Sequence, residues 1–229
     1  MKKLIAKYLV EFIVIITGIS LSFYMDKLNE NNYRDNLKNQ SLKRILKNFQ
    51  QDSLDLNFNL VANKKAIYST DWIVKRNKNL KLYSKDSIGF HLNRVINHNT
   101  FFVDNQEEYR GLQNSGLIEL IENEKVVSAL QQKYVLHGFF KDLEDSIRDK
   151  AEYLFEFSYK NLKYQSDSLD NQGYIIDRTY SGNKIIPSHL IEIMFEKKEL
   201  HVFYTRMIKA RLKADNNLAE LIKNEISTK

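Results

Sequence analysis

A single proline, Pro187, and seven glycines stand in a chain of 229 residues, and that scarcity constrains the fold more than any other feature. Proline locks φ and removes a backbone donor, while glycine supplies the turns that other residues resist. A β-sandwich or an α/β enzyme of this length needs many more of both to reverse its chain. Long helices need few. The predicted fold class is therefore all-α: an N-terminal transmembrane helix followed by an irregular helical bundle with long helices.

Apolar residues make up 43% of the chain and aromatics 12%, which excludes a disordered polymer. The roughly 200 residues beyond an anchor suffice for one domain with a core. The absence of cysteine removes disulfides, thiolate metal sites and a cysteine nucleophile together. The net charge is +6, yet Lys and Glu alternate along stretches such as Lys141 to Lys150 and Glu192 to Lys198. A nucleic-acid binder gathers its cations on one face. Interspersed charge reads as a solvated helix surface, and no nucleic-acid partner is expected.

The N-terminal stretch carries three lysines, Lys2, Lys3 and Lys7, and then an apolar run. From Tyr8 to Met25 a helix spans about 27 Å, close to the roughly 30 Å of a bilayer hydrocarbon core. Only Phe12 to Met25 is strictly uncharged, which places Glu11 near one interface, within i,i+4 reach of Lys7. A cleavable signal peptide is the rival reading, but Ser20-Leu21-Ser22 makes a poor small-x-small site; a buried soluble helix is a second rival. Positive charge before the span and balanced charge after it keep the N-terminal side cytoplasmic. The expected organisation is a cytoplasmic tail over 1–7, a transmembrane helix over 8–25 and an extracytoplasmic helical domain over 26–229. In a two-membrane bacterium this is an inner-membrane protein with a periplasmic domain, and the lipid bilayer is its first partner.

Glu11, Gly18, Ser22 and Met25 recur at spacings of 7, 4 and 3 and share one face of the span. Gly18 and Ser22 form a small-xxx-small notch that lets helices approach in lipid. The alternatives are a packing face and a chance pattern without a specific role.

Beyond the span, Leu42, Ile45, Leu46, Phe49, Ser53, Leu56, Leu60 and Ile67 follow spacings of 3 and 4, a helix joining a bundle. Ser69-Thr70-Asp71 resembles a fresh helix start. Asn77-Lys78-Asn79 reads as a turn, and Ser84 opens a short helix to about Asn97. Another short helix runs from about Asn105 to Asn114 and is broken by Ser115-Gly116; a long helix runs from Asn123 to about Gln165. Residues 166–187 are irregular, with a strand pair around Tyr174-Ile175-Ile176. A final helical pair covers Ser188 to Ile226.

Two of these features together resemble a known family. The span's Tyr-Leu-x-Glu opening leads through its Gly-Ile pair into Leu28-Asn29-Glu30, and Tyr109-Arg110-Gly111-Leu112-Gln113-Asn114-Ser115-Gly116-Leu117 is followed by Ile121, Leu130 and Tyr134. This is similar to an uncharacterised Bacteroidetes family, a domain of unknown function, of single-pass membrane proteins with an N-terminal anchor and a helical extracytoplasmic domain. The resemblance covers about a quarter of the chain and implies a bacterial inner-membrane location without a known activity. Read from the residues alone, Gly116 ends a short helix in the left-handed conformation and the next helix leaves at an angle, a helix corner, with a ligand-binding turn as the alternative.

No pattern of site chemistry stands out. The histidines, His91, His98, His137, His189 and His201, form no His-Glu-x-x-His or Glu-x-x-His pair. Glu119, Glu122 and Glu124 suit the positive end of the long helix, and would serve acid–base chemistry only inside a cleft shared with a histidine. No Gly-rich phosphate loop and no Gly-x-Ser-x-Gly elbow occurs. The expectation is a non-enzymatic, membrane-anchored interaction or scaffold protein without a cofactor, bound to a protein partner or to its own copies. The alternative is a ligand-sensing helical module that acts through a partner.

Overall fold

The computed structural model describes residues 2–169, 177–183 and 185–227, with side chains from residue 7 onward. The first helix, α1 (Lys2–Arg76), is 75 residues long without a break, or about 110 Å at 1.5 Å per residue. A 3₁₀ turn (Asn77–Leu82) reverses the chain into α2 (Lys85–Asn97), α3 (Glu107–Asn114), a second 3₁₀ turn (Leu117–Leu120) and α4 (Glu124–Asn161). Two three-residue strands, β1 (Leu162–Tyr164) and β2 (Arg178–Tyr180), pair antiparallel before α5 (Ser188–Ser227) closes the fold. The all-α class stands.

The bundle is built on α5, which packs against the upper half of α1 on one side and α4 on the other. The upper end is closed by α2 and the strand pair, and α3 with its 3₁₀ turn closes the lower end against α1. The core lies in three apolar layers. The lowest holds Leu42, Ile45, Phe49, Val126, Leu130, Leu218 and Ile222. The middle layer contains Leu56, Phe102, Phe140, Ile147, Tyr204 and Ile208. In the upper layer Ile73, Leu92, Ile96, Leu154 and Met194 meet. Polar residues separate these layers.

Below Arg34 the first helix stands alone. Every residue from Lys7 to Tyr33 is exposed, and an 18-residue window here has a mean hydropathy of 1.8 with none of it buried. The helix is long and apolar enough to cross a membrane.

Local chemistry explains the ends. Ser84 caps α2 by accepting from the Ser87 amide at 3.1 Å, and Asn123 caps α4 by accepting from the Lys125 amide at 3.0 Å. Gly116 takes φ +70°, the left-handed turn expected after α3. Gly89 serves closeness instead: a Cβ there would fall 2.0 Å from the Arg178 carbonyl oxygen, so only glycine lets α2 lie against β2. Asn77 ties the chain entering α5 to the first 3₁₀ turn, donating to Ile186 O at 2.9 Å and accepting from Ile186 N at 2.8 Å.

Several expectations need correction. Ser69-Thr70-Asp71 does not start a helix; it lies inside α1, where the Thr70 hydroxyl donates to the Ala66 carbonyl at 3.0 Å and Ser69 faces His91. Capping residues were accommodated within the helix because α2 covers that face. The final helical pair is one uninterrupted helix, α5. The long helix stops at Asn161 rather than Gln165, because the next residues enter β1. A strand pair exists in the irregular region, but between Leu162–Tyr164 and Arg178–Tyr180; Tyr174-Ile175-Ile176 lies outside the described residues.

Candidate functional site

The densest buried chemistry is an ionic layer between the lower and middle apolar layers, one residue or more from each of four segments. From α4, Lys133 donates to Asp52 of α1 at 2.9 Å and to Asp215 of α5 at 2.8 Å. All three side chains are almost fully buried. Arg211, one turn before Asp215, donates through Nε to that carboxylate and through Nη1 to the Lys133 carbonyl at 2.6 Å. Asp104 arrives on the loop between α2 and α3; its Oδ2 lies 3.8 Å from Arg211 Nη2 and its Oδ1 2.7 Å from His137 Nδ1. Three carboxylates thus face Lys133 and Arg211, with His137 at the rim. Burial raises the Asp52 carboxyl above its usual range, although Lys133 pulls the other way. The Phe49 ring flanks the Lys133 ammonium at 4.4 Å.

Beside this layer a cleft of about 230 Å³ opens between α4 and α5. Ala129, Leu136, Phe140, Met207, Ala210 and Ala214 make its apolar walls, with Lys133, Arg211 and Asp215 at one side. Small residues on α5 leave the space, since Ala210 and Ala214 sit one turn apart facing α4. Lys133 and the Nε and Nη1 of Arg211 donate to carboxylates and a carbonyl, and the cleft walls are mainly apolar.

A second polar layer separates the middle and upper apolar layers and is built differently. Lys197 of α5 is 1% exposed and donates to the Val95 and Ile96 carbonyls, at 2.6 and 3.0 Å, at the end of α2. The negative end of a helix favours a cation there, but burial lowers the ammonium to about 7. One turn on, His201 meets the Asn63 amide oxygen through Nδ1 at 2.5 Å, and burial with the nearby Lys197 and His98 charges holds it well below the usual imidazole range. A third buried cluster centres on Glu144, which accepts from the Phe102 amide and the Tyr204 hydroxyl, each at 2.6 Å, and pairs with Lys141 at 2.9 Å.

The residues singled out in sequence fall into two groups. Glu11, Gly18, Ser22 and Met25 are all exposed along one line of α1, and a Cβ on Gly18 would meet nothing within 4 Å. Lys7 Nζ lies 3.9 Å from Glu11, as the i,i+4 spacing implies. Glu119, Glu122 and Glu124 are exposed at the lower end, whereas His91, His98 and His201 are buried toward the upper end. These acids and histidines thus lie at opposite ends of the bundle. His91 stacks on Trp72 at 4.2 Å between ring centres, and burial lowers it to about 4, leaving it neutral. Among the described residues no group of three or more His, Asp or Glu is arranged to hold a metal ion. In the Tyr109-to-Gly116 element, Tyr109 stacks on Tyr134 at 4.2 Å and Leu112 is buried, which makes the element a packed helix corner.

Sequence reasoning missed both polar layers. Asp52, Lys133, Lys197 and Asp215 interrupt apolar periodicity, and each alone looks like a surface charge. A signal was present at Asp52, which lies three residues after buried Phe49 and four before buried Leu56. Comparison of the chain with family models, with curated proteins and with solved structures gave no match.

Proposed function

We propose that this chain is a single-pass membrane protein whose helical bundle, held on the far side of the bilayer from the N-terminal lysines, serves as a docking or scaffolding element for other proteins or for its own copies. The observation that carries the reading is the state of α1: its most apolar window is wholly unburied, yet the same unbroken helix enters the bundle as a core element. Eighteen exposed apolar-rich residues are unfavourable in water and favourable in lipid. The charge asymmetry of Lys2, Lys3 and Lys7 supports a cytoplasmic N-terminal side, and hence an inner-membrane location with a periplasmic domain in a two-membrane bacterium. Exposed aromatics on the bundle, among them Phe139, Tyr153, Tyr159 and Phe203, supply surface suited to protein contacts.

The test is fractionation followed by protease treatment. The chain is expected in the carbonate-washed membrane pellet, with the bundle digested only when protease reaches the outer face of that membrane. Recovery in the soluble fraction rejects the anchor; digestion from the cytoplasmic side rejects the orientation.

A second reading, a ligand-sensing module, draws on the cleft between α4 and α5. Its volume and apolar walls suit a small hydrophobic molecule. Ala210→Phe fills that space; under this reading it abolishes thermal stabilisation by any small apolar compound that stabilises the parent chain. Unchanged stabilisation by such compounds rejects the cleft.

A further inference from the structure

The aqueous part of α1 below the bundle poses a problem of helix stability. Between Met25 and Arg34 the helix has no covering element, and residues 26–33 are exposed all round. Six of the eleven residues from Asp26 to Asn36 are Asn or Asp, each about 0.6 kcal/mol less favourable in a helix than alanine. A solvated single helix this short and this poor in helix formers is marginal. Its asparagines are not scattered. Asn29, Asn32 and Asn36 follow Gly18, Ser22 and Met25 at spacings of 4, 3, 4, 3 and 4, and at 3.6 residues per turn all six lie within about 40° of one line. Lys7 and Glu11 fall on the same line. The residues that enter the bundle, Lys38, Leu42, Ile45 and Phe49, are centred roughly 150° round the helix.

We propose that the occupant of this face is a second copy of the chain, paired in parallel through residues 7–36 about a two-fold axis along the stems. The inference rests on the membrane-anchor reading, since insertion in one sense makes the copies parallel. Alternating spacings of 3 and 4 are the seam of a two-stranded coiled coil, and asparagine on that seam specifies two strands in register. A carboxamide both donates and accepts, so identical asparagines facing across a two-fold axis satisfy each other. Lys7 and Glu11 are complementary in the same way: the Glu11 carboxylate, 3.9 Å from its own Lys7, also comes within reach of the partner copy's ammonium. The bundle lies on the opposite side of α1, so the stems can meet without a clash. Higher up, the line passes the exposed Lys43 and Lys47, like charges that end the pairing.

The native chain has no cysteine, so single cysteines report the face directly. Full-length variants Asn29→Cys, Asn32→Cys and Asn36→Cys are oxidised in native membranes, alongside Lys27→Cys, Asn31→Cys and Arg34→Cys on other faces. The expected result is a doubling of apparent mass for the first three and monomer for the rest, because a disulfide requires Cβ atoms about 4 Å apart. Equal cross-linking at all six positions, cross-linking at Lys27→Cys, Asn31→Cys and Arg34→Cys instead, or products of a different mass overturn the self-pairing. So does the absence of cross-links in a chain that remains in the membrane pellet, an outcome that leaves the anchor intact. A chain found in the soluble fraction overturns the anchor itself.

Discussion

Of the three lysines buried in the bundle, Lys133 and Lys197 are stabilised in opposite ways. Lys133 lies in the lower polar layer with carboxylates on both flanks, Asp52 and Asp215, and an arginine bonded to one of them. Lys197 lies in the upper layer with only the carbonyls of a helix end as partners and histidines as neighbours. The first arrangement holds α1, α4 and α5 together through full charges. The second joins α5 to the end of α2 through dipoles, and its amine titrates near neutral pH. The difference teaches that burial of lysine is a matter of who answers the charge, and that each answer leaves a distinct signature in stability.

Lys133→Met is the most damaging way to break the contrast. It leaves Asp52 without its cation in a buried layer that already holds an excess of carboxylates, and loss of one partner from such a pair costs about 3–5 kcal/mol. Denaturant titration of the full chain in detergent, followed by the fluorescence of Trp72, the sole tryptophan, measures it. Adding Asp52→Asn recovers part of the loss, since the orphaned charge goes with it. A loss below about 1 kcal/mol, the range of a surface pair, would show that the layer is hydrated.

A smaller effect sharpens the upper layer. Burial holds the folded-state ammonium of Lys197 at about 7, against 10.5 for an ordinary lysine. Between those values the unfolded chain binds a proton that the folded chain has shed, so stability rises as pH rises from about 7 toward 10. Within that window the slope approaches 1.4 kcal/mol per pH unit from this group. Lys197→Met removes the slope, and the difference between variant and parent, measured from pH 7 to 9.5, isolates it from other titrations. Parallel pH profiles for the two chains would place a charged partner beside Lys197.

The architecture was legible to different depths in different places. Ser84, Asn123 and Gly116 announced their helix ends correctly because capping and left-handed turns are local events, decided within four residues. Ser69-Thr70-Asp71 misled because the same side chains can bond back to their own helix or reach another, as Thr70 and Ser69 do. Of the residues singled out for a role, Glu11, Gly18, Ser22 and Met25 do share one exposed face, since i,i+3 and i,i+4 geometry follows from helicity alone. Their continuation into Asn29, Asn32 and Asn36 was equally readable in principle, but only the position of the bundle on the opposite side of α1 showed that the line is free.

Sequence alone determined the helical class, the apolar span and the short corner at Gly116, because scarcity of breakers, hydrophobic length and single-residue conformation are properties of neighbours along the chain. Tertiary structure decided that α1 runs unbroken from that span into the core, that α5 is one helix, and that Asp52, Asp104, Lys133, Arg211 and Asp215 meet. Charges some 80 residues apart carry no local mark of their partners. Only the register of three packed helices selects which of them are buried together.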